Sequence, residues 1–296
     1  LENLPLVSVL LPVFNSEKYV SEAINSILNQ TYQNFEIIVI DDGSTDGTAL
    51  RIQEFDDKRI RYFKNQENLG ITKTLNRYID QCKGKYIARM DADDISLPKR
   101  LESQVKYLES NPEYVLIGTA YLKQENNAIA QVRKHTTGYQ KLRVKLLFGN
   151  NISHPSVMFN KNNWVKSGEF YDENLRYAQD YDLWTRLILK HRITNLKDPL
   201  IVYRRYDGVT NPSKRKITND NIKNAQIRYI DSLLQLNDYE LASRLYLLYR
   251  RPETLKISES FTLAICSIRF GFKIKDFHFA LFLLRIINQL RKVIYK

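Results

Sequence analysis

The chain has 296 residues, 43% of them hydrophobic and 26% charged, and a formal net charge of +12. That is enough apolar material for one large core or two modest domains, and with a mean hydropathy of -0.42 it excludes a disordered polymer and a polytopic membrane protein. Two cysteines, Cys82 and Cys266, and four histidines exclude a disulfide framework and a Cys/His zinc cluster, and point to a reducing compartment.

Taken in chain order, apolar β-rich runs alternate with segments of helical period. Strands are predicted at 6–11, 36–40, 60–63 and 85–90, and helices at 17–29, 48–55, 71–82 and 98–109. This βαβα pattern predicts an α/β fold with a mixed, mostly parallel sheet flanked by helices. Ser16 stands where an N-cap belongs, and Pro98 falls in a first helical turn, where its missing N–H does no harm. The N-terminal run reads as a buried strand, not a signal segment, so secretion is not expected. From residue 112 the alternation loosens, with strands at 114–119, 156–159 and 200–204 and helices at 139–148 and 180–190. Beyond 212, Gly and Pro thin out and helical periods dominate. The expected organisation is a domain over 1–212, with halves 1–111 and 112–212, followed by a helical region over 213–296.

Ligands of open α/β sheets bind outside the carboxyl ends of the strands. Those ends read Pro12-Val13-Phe14-Asn15, Asp41-Asp42-Gly43-Ser44, Asn65-Gln66-Glu67-Asn68 and Asp91-Ala92-Asp93-Asp94. A turn can aim two carboxylates one residue apart into the same space, where a hard cation such as Mg²⁺ or Mn²⁺ is the natural guest. A solvated acidic turn or a set of helix caps explains the same spacing. By itself the Asp41–Asp46 run reads first as turn formation and capping; in the functional reading Asp42 is a candidate acceptor for a nucleobase N–H or ribose hydroxyl, with Phe14 as an apolar face for the base. Asp180 either caps its helix or, if it faces the cavity of Asp93, serves as a general base. His154 reads first as a structural hydrogen-bonding residue.

Together these segments resemble the family 2 glycosyltransferases. The likeness is carried by residues 7–15, by Ser26 to Tyr32, by Glu36 to Thr45, by Gly84 to Asp94, and by Gln179-Asp180-Tyr181-Asp182-Leu183-Trp184, in that order. The resemblance implies a GT-A fold, a nucleotide-sugar donor that is most often UDP-linked, a divalent metal and inversion at the anomeric carbon. Carried over by position, it makes Pro12, Phe14 and Asp42 the nucleoside pocket and Asp93 the principal metal ligand. Asp91 then lies beside the donor ribose or sugar with Ala92 next to it, Lys73 borders the nucleotide, and Asp180 is the base. Two positions depart from the family pattern. Gln179 replaces the usual Glu before the base, and Tyr203-Arg204-Arg205-Tyr206 lacks the histidine of the element after the last strand, leaving Arg204 to serve the phosphates.

A sugar nucleotidyltransferase would need a Gly-rich, basic loop after the first strand, which Pro12–Asn15 does not provide. A non-catalytic nucleotide-sugar-binding subunit is the other alternative, against which Asp91, Asp93 and Asp180 stand together. Residues 241–296 hold 11 Lys+Arg against 3 Asp+Glu. Their charges are interleaved with Phe, Leu and Ile at helical spacing, which argues against a nucleic-acid module. Over 277–294 an apolar stripe opposes a basic one, which suits an anionic membrane surface, a second copy of the chain, or packing on the catalytic domain. With the resemblance, this points to a glycan or lipid-linked acceptor in cell-surface polysaccharide synthesis, and to a cytoplasmic enzyme peripheral on the inner face of the membrane.

Overall fold

A computed structural model describes residues 4–125, 128–205 and 212–250. The first half alternates as the periodicity predicts: β1 (Val7–Val13), α1 (Val20–Leu28), β2 (Phe35–Asp41), α2 (Thr48–Gln53), β3 (Ile60–Lys64), α3 (Ile71–Tyr78) and β4 (Tyr86–Arg89). The two-residue β5 (Ile95–Ser96) and α4 (Arg100–Ser110) follow. The second half contains β6 (Tyr114–Glu125), β7 (Ala128–Arg133), α5 (Tyr139–Leu146), β8 (Met158–Asn160), α6 (Lys161–Ser167), α7 (Gln179–Lys190) and β9 (Arg192–Arg205). Two helices, α8 (Pro212–Leu234) and α9 (Tyr239–Arg250), end the described chain.

The strands form a single sheet in the order β3-β2-β1-β4-β8-β6-β9-β5, with β7 hairpinned onto β6. Parallel pairing joins β1 to β2 and β4, β2 to β3, and β6 to β9, whereas β8, β5 and β7 pair antiparallel. β1 and β2 are apolar on both faces because helices cover both. Val9, Leu11, Ile37 and Val39 pack toward α1, α2 and α4, while Leu10, Ile38 and Ile40 pack toward α3, α5, α7 and α8. The carboxyl ends of β1, β2 and β4 therefore open on one edge of a sheet held rigidly from both sides.

Two local expectations are corrected. The Ser16 side chain does not cap α1: its hydroxyl donates to the Phe14 carbonyl, and the N–H groups of Tyr19 and Val20 donate to the Ser16 carbonyl instead. Pro98 lies in the turn before α4, which begins at Arg100; the Pro98 carbonyl accepts from the Thr31 N–H at 2.9 Å, tying that turn to the end of α1. The sequence pattern also missed β7 and α6.

Ala225, Ile227, Tyr229 and Ile230 of α8 belong to the same apolar cluster as Trp184 and Leu187 of α7. Arg228 pairs with the buried Asp182 of α7 at 2.6 Å. No helix among the described residues is long and apolar enough to cross a membrane. The amphipathic stripe over 277–294 lies outside the described residues.

Candidate active site

A cleft of about 560 Å³ opens at the carboxyl edge of the sheet. Pro12, Val13, Phe14, Asn15 and Ser16 line it at and after the end of β1, Asp42 after β2, and Asp91, Ala92 and Asp93 after β4; Arg176 and Tyr177 come from the segment before α7, and Lys214 from α8. Of the residues the sequence singled out, Pro12, Phe14, Asp42, Asp91, Ala92 and Asp93 therefore meet in one space.

The nucleoside side of this cleft is braced. Asn15 has a positive φ of 47°, which Asn tolerates, and its Oδ1 accepts from the Thr45 N–H at 2.9 Å, so the ends of β1 and β2 are pinned together. Gly43 has a φ of +77°, and a Cβ there would stand 2.8 Å from the Glu67 carbonyl carbon, so the turn tolerates only glycine. Asp42 is 4% exposed. Its Oδ1 accepts from Asn65 Nδ2 at 2.7 Å, Thr74 Oγ1 at 2.8 Å and the Leu69 N–H at 3.0 Å, and its Oδ2 from the Gly70 N–H at 2.9 Å. The capping role proposed for this acidic run is not filled: the N-cap of α2 is Gly47, with no side-chain cap, and Asp46 just before it accepts from the Thr48 N–H at 3.0 Å. Phe14 is 46% exposed over the cleft.

The acidic turn is built differently. Carboxylate oxygens of Asp91, Asp93 and Asp94 all lie within 4.8 Å of one another. Asp91 is gripped by both terminal nitrogens of Arg89, with Nη1 at 2.7 Å, and that guanidinium is almost wholly buried. Buried Arg100 supports the strand end by donating to the Arg89 carbonyl at 2.6 Å. Burial, and then the Asp91 charge, push the Asp93 carboxyl up to about 6. Asp94 is raised well above the usual carboxylate range by burial and by both neighbours. Its Oδ1 accepts from the Arg204 N–H at 3.0 Å, but its Oδ2 is buried with no hydrogen-bond partner among the described residues. An orphaned buried oxygen in a cluster of all-oxygen donors, with carboxyls raised by burial and then by mutual repulsion, is the arrangement that a hard divalent cation satisfies.

Asp180 is the second residue of α7, reached through Ala178 at the left-handed φ of 59°, and that helix has no side-chain cap. Asp180 Oδ2 accepts from Asn150 Nδ2 at 2.7 Å, and burial raises its carboxyl above the usual range. It does not itself line the cleft. The buried Arg89 charge opposes the effect of burial on both Asp180 and Asp93. Gln179 is half-buried beside it.

Three other sequence candidates do not line the cleft. His154 Nε2 lies 2.9 Å from the Tyr171 hydroxyl, its ring packs edge-on to Trp184, and burial and Arg89 hold its imidazole neutral. Lys73 is exposed on α3 and outside the cleft lining. Arg204 is pinned: it pairs with Glu22 and donates to Gln124 Oε1 at 3.2 Å and to the Asp93 carbonyl at 3.3 Å. Sequence reasoning missed Arg89, Asn150, Arg176 and Lys214. A signal existed for Arg89, a charge inside an apolar strand two residues before Asp91 and hence on its side of the strand. None existed for Arg176, whose place depends on how the chain enters α7.

A sheet of this order, with a carboxylate turn at its open edge and helices on both faces, is a GT-A fold. Residues 8–165 match the family described as Glycosyl transferase family 2, and the chain belongs to that family. It is 35% identical over 227 residues to the O-antigen biosynthesis glycosyltransferase WbnJ of Escherichia coli, covering 71% of this chain and 84% of the relative. It is 31% identical over 242 residues to the amylovoran biosynthesis glycosyltransferase AmsE of Erwinia amylovora, covering 80% and 86%. Among solved structures, Staphylococcus aureus TarS 1–349 in complex with UDP-GlcNAc superposes with a TM-score of 0.65 at 18% identity, covering 90% of this chain and 80% of that one. The mannosyltransferase PcManGT of Pyrobaculum calidifontis, in complex with GDP-Man and Mn²⁺, superposes with a TM-score of 0.54 at 15% identity, covering 99% and 88%.

Proposed function

We propose that this glycosyltransferase moves a sugar, with inversion, from a nucleotide-sugar donor of the UDP type to a hydroxyl of a glycan or lipid-linked acceptor in cell-surface polysaccharide synthesis. The observation that carries the reading is the single cleft shared by Pro12, Phe14 and Asp42 on one side and Asp91 and Asp93 on the other. Phe14 offers its exposed ring to the base, and Asp42, held by four donors, presents a fixed carboxylate to a nucleoside N–H or hydroxyl. Asp93 and Asp94 are the residues that would hold Mg²⁺ or Mn²⁺. Such an ion, when bound, neutralises charge developing on a departing diphosphate. Asp91, oriented by Arg89 and followed by Ala92, faces the ribose or the sugar.

Asp180 takes the proton of the acceptor hydroxyl as its oxygen attacks the anomeric carbon and the bond to the diphosphate oxygen breaks on the opposite face. Asn150 orients that carboxylate, and burial raises its basicity. Gln179 and His154 shape the surroundings of the base, Lys73 is an outlying contact, and Arg204 anchors the acidic turn. In this reading residues 1–212 form the catalytic unit, 1–111 binding nucleotide and 112–212 the acceptor. The basic surplus of residues 241–296 would favour an anionic inner leaflet, where a lipid-linked acceptor is reached. The names of the amylovoran and O-antigen relatives favour this setting.

The test is incubation with UDP-, GDP- and dTDP-sugars in Mn²⁺, following nucleoside diphosphate release and product configuration by NMR. Release of a nucleoside diphosphate with an inverted product is the expected result. Binding without turnover in the presence of acceptor glycans favours a non-catalytic subunit, and pyrophosphate release from a nucleoside triphosphate plus sugar phosphate favours a nucleotidyltransferase.

A further inference from the structure

Arg204 is committed to protein partners: Glu22 pairs with it, and it donates to Gln124 and to the Asp93 carbonyl. Its aliphatic stem and guanidinium are also covered by the surrounding chain, with 11% of the side chain exposed. Arg59, Arg61 and Arg51 are likewise paired with acids. The cations that do line the cleft are Arg176 and Lys214. Both are exposed, and neither forms an ion pair among the described residues; Arg176 lies 5.9 Å over the Tyr177 ring.

The start of α8 breaks a local rule in a telling way. Helix N-termini carry partial positive charge and favour Asp and Glu, yet α8 begins Pro212-Ser213-Lys214-Arg215-Lys216 with no acid in its first turn. Three consecutive cations at the positive end of a helix repel the dipole and one another, a cost that an anion bound there would reverse. The two cleft cations are also mechanically linked. Asn221 of α8 donates to the Tyr177 carbonyl at 3.0 Å, and Arg228 of α8 pairs with Asp182 of α7. Ala178, in its left-handed conformation, is the pivot that turns the chain from Arg176 on the cleft wall to Asp180 on α7.

We infer that Arg176 and Lys214 form a two-sided phosphate clamp, holding the diphosphate of a nucleoside diphosphate or its sugar ester across the cleft from Asp91 and Asp93. This rests on the donor reading above, and it assigns to these two residues the role that the family resemblance gives to Arg204. The clamp would act on ground-state donor and on departing nucleoside diphosphate alike, so it sets nucleotide affinity more than the rate of the chemical step. Because α8 carries one jaw and also braces α7, nucleotide binding and the placement of Asp180 are tied to the same helix.

The test compares UDP, GDP and dTDP with their parent nucleosides by isothermal titration, in Mg²⁺ at low and moderate salt. The proteins are wild type, Arg176→Gln/Lys214→Gln, and the charge-keeping Arg176→Lys/Lys214→Arg. For the diphosphate that wild type binds, each lost cation is expected to weaken affinity about 10-fold, the scale of a hydrogen bond to a charged group. The nucleoside should bind all three proteins equally, the salt dependence should flatten in the Gln pair, and the charge-keeping pair should recover most of the affinity. Unchanged diphosphate affinity in the Gln pair overturns the clamp and leaves the donor reading standing. Equal loss of nucleoside and diphosphate, or no recovery in the charge-keeping pair, also overturns it, since either marks a structural role. Failure of wild type to bind any of the three diphosphates removes the donor reading, and the clamp with it.

Discussion

The two acidic turns at the edge of this sheet carry similar residues and are finished to different degrees. In the turn after β2, Asp42 has four hydrogen-bond donors aimed at its carboxylate, and glycine geometry and Asn15 fix its surroundings. In the turn after β4, three carboxylates crowd together, one buried oxygen has no partner, and two carboxyls are raised by burial and by one another. The first turn is complete as protein and needs no cation. The second is electrostatically incomplete, which is the state expected of a site whose missing component is a ligand.

The largest effect that would sharpen this contrast is on Asp93. Asp93→Ala should lower transfer by roughly 10³ or more in steady-state assays, because interactions made in the transition state are lost, while thermal stability holds or rises as like-charge repulsion is relieved. Coincident loss of activity and of the folded state would instead make the acidic turn structural.

The next effect belongs to the base. Asp180→Asn keeps shape and the partner Asn150 but not basicity, so kcat should fall by about 10² or more with little change in donor affinity. A fall in donor affinity at unchanged kcat would make Asp180 a binding residue.

On the finished side, Asp42→Asn replaces an acceptor-only carboxylate that faces four donors with an amide that carries donors of its own. It should cost about 1–3 kcal/mol of stability in denaturant unfolding, the scale of hydrogen bonds to a charged group, and weaken nucleoside binding as well. If Asp42→Asn is as stable as wild type, the two turns do not differ as described.

The smallest effect is a pH dependence. Raised carboxyl pKa values mean that the folded state binds protons more tightly than the unfolded chain, so stability falls as pH rises. For Asp93 the window runs from the unfolded value of about 4 to its folded value of about 6. Metal-free protein should therefore melt lower at pH 7 than at pH 5 from this site's contribution, and Mn²⁺ should raise the melting temperature more at pH 7. Asp93→Ala should flatten both dependences in scanning calorimetry.

The N-terminal half was legible because β1, β2 and β4 are buried on both faces and its turns end in polar clusters, so pattern and position agreed. The missed elements each lack that redundancy. All six residues of β7 are exposed, so no apolar face announces a strand. In α6 only Trp164 is buried, one anchor in seven residues. β9 starts well before the predicted 200, with register shifts and Pro199 interrupting its alternation against β6. At the site, the motif residues were readable because they follow strands directly. Arg176 and Lys214 were not, since their meeting depends on the path of the chain through Ala178 and on the docking of α8. Even Asp180 was legible as a carboxylate at a helix start but not as one braced by Asn150, thirty positions earlier in the chain.

The central claim, that the turn after β4 is completed by a divalent cation together with a nucleotide in the same cleft, is tested most directly by Mn²⁺ binding followed by electron paramagnetic resonance, with and without UDP. Wild type is expected to bind one Mn²⁺ in the cleft at least about 10-fold more tightly when UDP is present, as binding linkage between neighbouring ligands requires. Asp93→Ala should abolish that coupling, and Asp42→Asn should weaken UDP while leaving Mn²⁺ binding without nucleotide unchanged. Mn²⁺ binding that is absent in wild type, or indifferent to both UDP and Asp93, would contradict the claim.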